Sequence, residues 1–385
     1  MSIIESIIPA EESDDGVVDF TPPLPIGGAV GIRQFHVTDT TRDDVSTGTR
    51  QFMVTAFYPG RVNCAALRGR MADLLYPRVD DALELLVRES GLVGKDNIQV
   101  FDHLKRMALR AQRILELQCS GPCPVLIYYP GGQGHRMSNA ALCEALACRG
   151  FVVLALDAPR DAPVVVFPDG CMVTPPAPED ESYIWPRVAD VGFLVDQLAE
   201  FGAVFFDGGL DAGTVGMFGH SRGGYLSNIC AVADSRIRAA VNMDGFLWGI
   251  WTRQGTGLDQ FPAEFAAQAR GLATPVLRLR SEQRSEEKAR IRFEEEARDF
   301  GGDFIWVALH GYAHGDFATT QWLGGVLADS ETEKHRLIVI EPRVRLLTEL
   351  LADFFETYLI HQRPRMALLS EGRPGMDVYF RSGWE

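Results

Sequence analysis

The chain has 385 residues, 46% of them apolar and 10% aromatic, and a formal net charge of −15. That size and apolar content supply a sizeable globular core, while the negative balance argues against a nucleic acid or an anionic membrane as a partner. No apolar run reaches the length of a membrane-spanning helix.

The first residues, Met1-Ser-Ile-Ile-Glu-Ser-Ile-Ile8, lack a basic region and soon meet Glu11-Glu-Ser-Asp-Asp15. No secretory leader is expected, and the sequence reads as cytoplasmic. The seven cysteines are odd in number and scattered, which fits reduced thiols, several of them in the core. Cys119 and Cys123 lie close together, but no second Cys or His pair completes a zinc set. No metal or organic cofactor is expected.

Residues 1–25 form an acidic arm ending in Pro22-Pro-Leu-Pro25, expected to be disordered or an extended wrap. The main domain is expected over 26–360, with a tail over 361–385. Gly31–Thr38 and Arg50–Tyr58 are rich in β-formers and predict an antiparallel pair. Within 62–118, Met71–Tyr76, Asp80–Arg88 and Phe101–Leu115 have apolar residues at helical spacing. They predict a helical insertion, either a lid or a pack against the sheet. Strand Val125–Tyr129 then runs into Pro130-Gly-Gly-Gln-Gly-His135, and a helix follows over Asn139–Cys148. The continuous apolar run Phe151–Leu156 suits a strand buried on both faces. Val164–Gly170 predicts a small hairpin and Arg187–Phe201 a helix. Strands are expected at Ile237–Met243, Pro275–Leu279 and Phe304–Leu309. Helices are expected at Glu287–Phe300 and, after Pro342, to Ile360. Strands alternating with helices argue an α/β fold with a mostly parallel sheet covered on both faces.

The chemistry centres on Thr214–Tyr225, an apolar strand, a Gly-rich turn and the start of a helix. Gly219-His-Ser-Arg-Gly223 matches G-x-S-x-G, the nucleophile elbow that lifts a serine clear of a sheet edge. A serine hydroxyl needs a base, and the base needs a carboxylate to orient it. Behind an elbow, acid and base follow the serine in the chain. Of His310, His314, His335 and His361, the first two fall just past a strand, and His314, flanked by Gly315, is preferred over His310. Asp244, directly after an apolar strand, is preferred as the acid over Glu282. The oxyanion donors expected are the backbone N–H of Arg222, which follows the serine, and that of Gly132 or Gly131. His220 is too close to Ser221 to act as its base and is expected to brace the turn. Phe246, Trp248, Trp251, Tyr312, Phe317 and Trp322 follow the acid and base, and could line an acyl pocket or belong to the core.

These features resemble the α/β hydrolases of the platelet-activating-factor acetylhydrolase and dienelactone-hydrolase-like group. The resemblance covers about residues 29–360 and is carried by several stretches. They are Val37–Arg42 with Ala56-Phe-Tyr-Pro59, Phe151–Asp157 with Val166–Gly170, Arg187–Leu198, Gly219–Gly224, Asn242-Met-Asp-Gly245 and Ala313–Phe317. It implies an α/β-hydrolase fold with Ser221, Asp244 and His314 as triad, and it favours Asp244 over Glu282. Three positions depart from the group. Arg222 replaces an apolar residue, Pro130 replaces the His of the oxyanion turn, and Ala158 stands where the group has His. Gly-His-Ser-Arg-Gly-Gly is itself similar to the elbow of chlorophyllases. The expectation is a serine ester hydrolase acting on a small, partly apolar ester. The alternatives are an acyl transferase or cyclase, a thioesterase or amidase, or a non-catalytic binder of the same fold.

Overall fold

Alternating and continuous apolar runs decide where the sheet lies and which helices cover it. The computed structural model describes residues 2–7, 18–19, 28–89, 105–157, 159–174, 184–248, 258, 261–282, 286–318, 330–361 and 375–383. Strands β1 (Ser2–Ile7), β2 (Val18–Asp19), β3 (Ala29–Asp44) and β4 (Gly48–Gly60) come first. Then follow β5 (Arg68–Arg70), a 3-10 turn over Met71–Leu75, α1 (Val79–Glu89) and β6 (Met107–Arg113). The chain next forms β7 (Cys123–Tyr129), α2 (Ala140–Cys148), β8 (Val152–Leu156) and the hairpin β9 (Val165–Val166) and β10 (Met172–Val173). The central run is α3 (Ile184–Phe205), β11 (Leu210–His220), α4 (Arg222–Ala233) and β12 (Ile237–Met243). It closes with α5 (Ala263–Ala269), β13 (Val276–Glu282), α6 (Glu286–Ala297), β14 (Phe304–His310), α7 (Ser330–Phe355) and β15 (Met376–Arg381).

Among the described residues the main sheet has the order β15-β14-β13-β12-β11-β7-β8-β4-β3-β6-β2, with β1 added to β3 and β5 to β6. The stretch from β8 to β14 is parallel, and β4 and β3 extend it antiparallel. Side chains alternate across each strand, so two cores form. Leu126, Tyr128 and Phe218 face α2 and α7, with Leu142, Leu146, Leu347 and Leu351. Val125, Ile127, Tyr129 and Met217 face α3 and α4, with Leu194, Leu198, Leu226 and Ile229. Every residue of β8 is buried, as its unbroken apolar run requires. No described helix is long and apolar enough to cross a membrane.

Several expectations need correction. A helix is expected over 101–115, but Met107–Arg113 is strand β6. The same residues satisfy a period of two: Met107, Leu109 and Ala111 turn inward while Arg110 is exposed, and pairing with β3 and β5 takes up the backbone. Residues 101–104 lie outside the described ones. In the N-terminal arm, Ser2–Ile7 pairs antiparallel with β3 as an extended wrap, whereas Pro22–Pro25 lie outside the described residues. The tail contains β15, paired antiparallel with β14. The last helix starts ahead of Pro342, which sits inside it. Cys119 and Cys123 form a disulfide rather than staying reduced. Ala82 and Leu83 of α1 pack with Leu74 and Met107 on the α2 and α7 side of the sheet.

Candidate active site

The elbow is built by crowding. A Cβ on Gly219 would lie 2.3 Å from the Gly223 carbonyl carbon, and one on Gly223 would lie 2.0 Å from the Tyr129 carbonyl oxygen. Only glycine lets α4 start this close to β7. Ser221, between strand and helix, has φ 55° and ψ −117°, a left-handed conformation that a non-glycine residue holds only under constraint. The constraint is visible. Ser221 N–H donates to the Met243 carbonyl at 2.8 Å, and its own carbonyl accepts the Tyr225 N–H at 3.1 Å.

Asp244 directly follows β12 and also has a positive φ, 53°. Its N–H donates to the Leu279 carbonyl at 2.8 Å. Gly245 must follow it, because a Cβ there would sit 2.2 Å from the Ser221 carbonyl oxygen. The Asn242 side chain locks the bend, accepting the Gly245 N–H at 2.8 Å and donating to the Phe246 carbonyl at 2.9 Å. The carboxylate accepts the Ser281 N–H at 3.0 Å and the Ser281 hydroxyl at 2.7 Å, and Arg280 Nη1 lies 3.2 Å away. Burial raises the Asp244 carboxyl, but the His314 hydrogen bond, the Arg280 charge and Ser281 outweigh it and hold it below the usual carboxylate value.

His314 opens a 3-10 turn, His314–Phe317, just past β14. Its Nδ1 donates to Asp244 Oδ2 at 2.7 Å, and its Nε2 accepts from Ser221 Oγ at 3.0 Å. The ring is accessible, 56% exposed, whereas the Asp244 side chain is 4% exposed. His220 braces the His314 loop: its Nε2 donates to the His314 carbonyl at 2.8 Å, and the two rings lie 4.6 Å apart. Burial and the neighbouring His314 push His220 down to about 4, so it is a neutral donor at pH 7. Asp316 accepts the Ala313 N–H at 2.7 Å and pairs with Arg343, so it shapes the turn.

The Gly131-Gly132 turn leaves β7 beside the serine. A Cβ on Gly131 would lie 3.2 Å from Ser221 Cβ, and one on Gly132 would lie 3.0 Å from the Arg222 guanidinium carbon. Arg222 is the first residue of α4, so its N–H belongs to a helix N-terminus, where partial positive charge collects. The far end of the turn is pinned by buried Arg136, which pairs with Asp157. Arg136 also donates to Thr55 Oγ1 at 2.9 Å, Gln34 Oε1 at 2.8 Å and the Leu74 carbonyl at 3.0 Å.

The structure therefore brings Ser221, His314 and Asp244 into one hydrogen-bonded row beside Gly131, Gly132 and the Arg222 N–H. His310, the other candidate at the end of β14, is not part of the row. His310 donates to Asp377 on β15 at 2.8 Å. Glu282 ends β13, with its side chain outside what is described. Of the aromatic candidates for an acyl pocket, three lie among buried core residues, the second of the two places expected for them. Trp248 stacks on Phe300 in the core, and Tyr312 and Phe317 are buried with the α2 and α7 layer. Each closes a core edge just beyond a strand end, where the apolar layer still needs covering. Phe246 is 38% exposed, while Trp251 and Trp322 lie outside the described residues. Sequence reasoning gave no role to Ser281, Arg280 or the Asn242 side chain. The signal for Ser281 is its place at the end of β13, one residue before the alternative acid Glu282. A separate cavity of about 540 Å³ opens near the start of α3, lined by Arg42, Arg50, Arg160, Trp185 and Arg187 among others.

No family model matches the chain. Over 236 residues it is 27% identical to an Arthroderma benhamiae protein named "probable 1-alkyl-2-acetylglycerophosphocholine esterase". That match takes in 58% of this chain and 58% of the relative, so the chain spans less than two thirds of the relative's length. The structure is also similar to that of a ferulic acid esterase from Streptomyces cinnamoneus. There the TM-score is 0.69 at 23% identity, covering 94% of this chain and 99% of the other.

Proposed function

We propose that this chain, whose fold is that of the α/β hydrolases, is a serine ester hydrolase. The observation that carries the reading is the unbroken row from Ser221 Oγ to His314 Nε2 (3.0 Å) and from His314 Nδ1 to Asp244 Oδ2 (2.7 Å). In the proposed reaction Ser221 Oγ attacks the ester carbonyl carbon while His314 Nε2 takes the hydroxyl proton. Asp244 holds the ring in the tautomer with Nδ1–H and stabilises the imidazolium. The backbone N–H groups of Arg222 and Gly132, or Gly131, receive the oxyanion. The C–O bond to the alcohol then breaks, and His314 returns the proton to the leaving oxygen. Water attacks the acyl-serine by the same route, with His314 as base, and frees the carboxylic acid. The relative named as an acetylglycerophosphocholine esterase and the neighbouring ferulic acid esterase support an ester of a small, partly apolar molecule as substrate.

The test is covalent labelling by a fluorophosphonate together with hydrolysis of p-nitrophenyl acetate. Wild type should label on Ser221 and hydrolyse the ester. Ser221→Ala should lose the label and at least ~10³-fold in kcat. A label that survives in Ser221→Ala would move the nucleophile elsewhere and overturn the assignment.

A further inference from the structure

Arg222 contributes its backbone to the site, and its side chain has a defined place as well. The space that a Cβ would occupy on Gly132 is closed by the Arg222 guanidinium, with Cζ at 3.0 Å and Nη1 and Nη2 both at 3.2 Å. Three nearly equal distances mean that the planar group faces the glycine flat rather than edge-on. Asp161 holds it there. Its Oδ1 accepts from Arg222 Nη1, and its Oδ2 lies 3.2 Å from Arg187 Nη2. Asp161 and Arg187 are buried, with side chains 5% and 3% exposed, while Arg222 is 33% exposed. A buried carboxylate, itself backed by a buried cation, thus holds the more exposed Arg222 against the turn.

The turn needs such support. Gly131, Gly132 and Gly134 lack side chains that could pack it, and Gln133 between them has φ 60°. A glycine-rich segment has little stiffness of its own, whereas oxyanion donors act only if they are held in place beforehand. Given the proposed hydrolase reading, on which this rests, we infer that Arg222, anchored by Asp161, is a positioning residue for the oxyanion turn. Its guanidinium holds the Gly132 backbone in its acyl-facing conformation. Lysine does not reproduce this, because an ammonium has no plane to lay on the glycine.

The experiment measures the second-order rate of Ser221 phosphonylation by a fluorophosphonate, which does not depend on knowing the natural ester. In that reaction the Oγ–P bond forms, the P–F bond breaks with loss of fluoride, and the serine proton passes to His314. The phosphoryl oxygen takes the oxyanion position. Arg222→Met and Asp161→Asn should each slow labelling by roughly 10- to 100-fold, with Arg222→Lys in between. The double variant Arg222→Met/Asp161→Asn should be no slower than Arg222→Met alone, since both remove one device. On p-nitrophenyl acetate the loss should fall on kcat, with KM within about threefold of wild type. Thermal melting checks that each variant is folded. A merely structural ion pair would lower the melting temperature and leave the labelling rate of the folded protein untouched. Labelling of Arg222→Met and Asp161→Asn within about twofold of wild type, or additive losses in the double variant, would overturn the inference. Failure of wild type itself to label would instead reject the hydrolase reading.

Discussion

Ser281 Oγ donates to Asp244 Oδ2 at 2.7 Å, to the same oxygen that receives His314 Nδ1. The hydroxyl and the imidazole therefore share one acceptor, and the serine helps decide where the carboxylate points. Removing a hydrogen bond to a buried charged group costs about 1.5–3 kcal/mol. Ser281→Ala should lose stability of that order in urea titration at pH 7, and kcat should fall several-fold as His314 loses its alignment. Unchanged kcat would mean that the Ser281 N–H and Arg280 suffice. Ser221, Asp244 and His314 were legible in the sequence because each sits at a strand end beside glycine, a local signal. Ser281 and Asp161 were not, because what defines them is a partner 37 residues away in one case and 61 in the other. Those contacts arise only when strand ends meet along one sheet edge. The aromatic residues stayed open between pocket and core for a related reason: composition cannot tell a pocket wall from a core edge.

At the scale of elements, α3 shows both what packing demands and what it leaves free. Leu194 is fully buried against the sheet, and Leu194→Ala should cost about 2–5 kcal/mol. Two residues earlier, a Cβ on Gly192 would meet nothing within 4 Å. Alanine there stiffens the unfolded chain and suits a helix, so Gly192→Ala should add about 0.5–1 kcal/mol. Denaturant midpoints of the two variants should move in opposite directions. The parallel strands and their helices were legible because long apolar runs and helical stripes have few other readings. β6 was misread because Met107-Ala-Leu-Arg-Ala-Gln-Arg113 satisfies both periods over so short a span, and pairing with β3 and β5 decides between them. β15 went unseen although Met376, Val378 and Phe380 alternate, because its place depends on an open strand edge far earlier in the chain.

For the whole molecule, the ionisable interior sets a pH window. Burial, with Arg136 adding to it, pushes His135 down to about 4, and burial with His314 does the same to His220. Unfolded histidine titrates near 6.5. Between those values the unfolded chain binds more protons than the folded one, so stability falls as pH falls. The contribution is complete above about pH 6.5 and is lost on the way to pH 4. Below that, protonation of Asp44, Asp244 and Glu296, all held below their usual values, continues the loss. Stability should drop steadily from pH 7 to 4, on the order of a few kcal/mol in all, and the melting temperature should fall with it. His135→Gln should flatten that slope, and a slope unchanged by it would remove His135 from the account. The sheet's far side has a consequence of a different kind. β14 is buried from Phe304 to Leu309, yet its outer hydrogen-bonding groups are covered by β15, which leaves a ribosome only after the whole of α7. Until then the nascent protein carries a bare, apolar strand edge, the template on which neighbouring chains pair and aggregate. Soluble yield during synthesis should therefore fall when β15 is removed or delayed, even where the finished fold is stable.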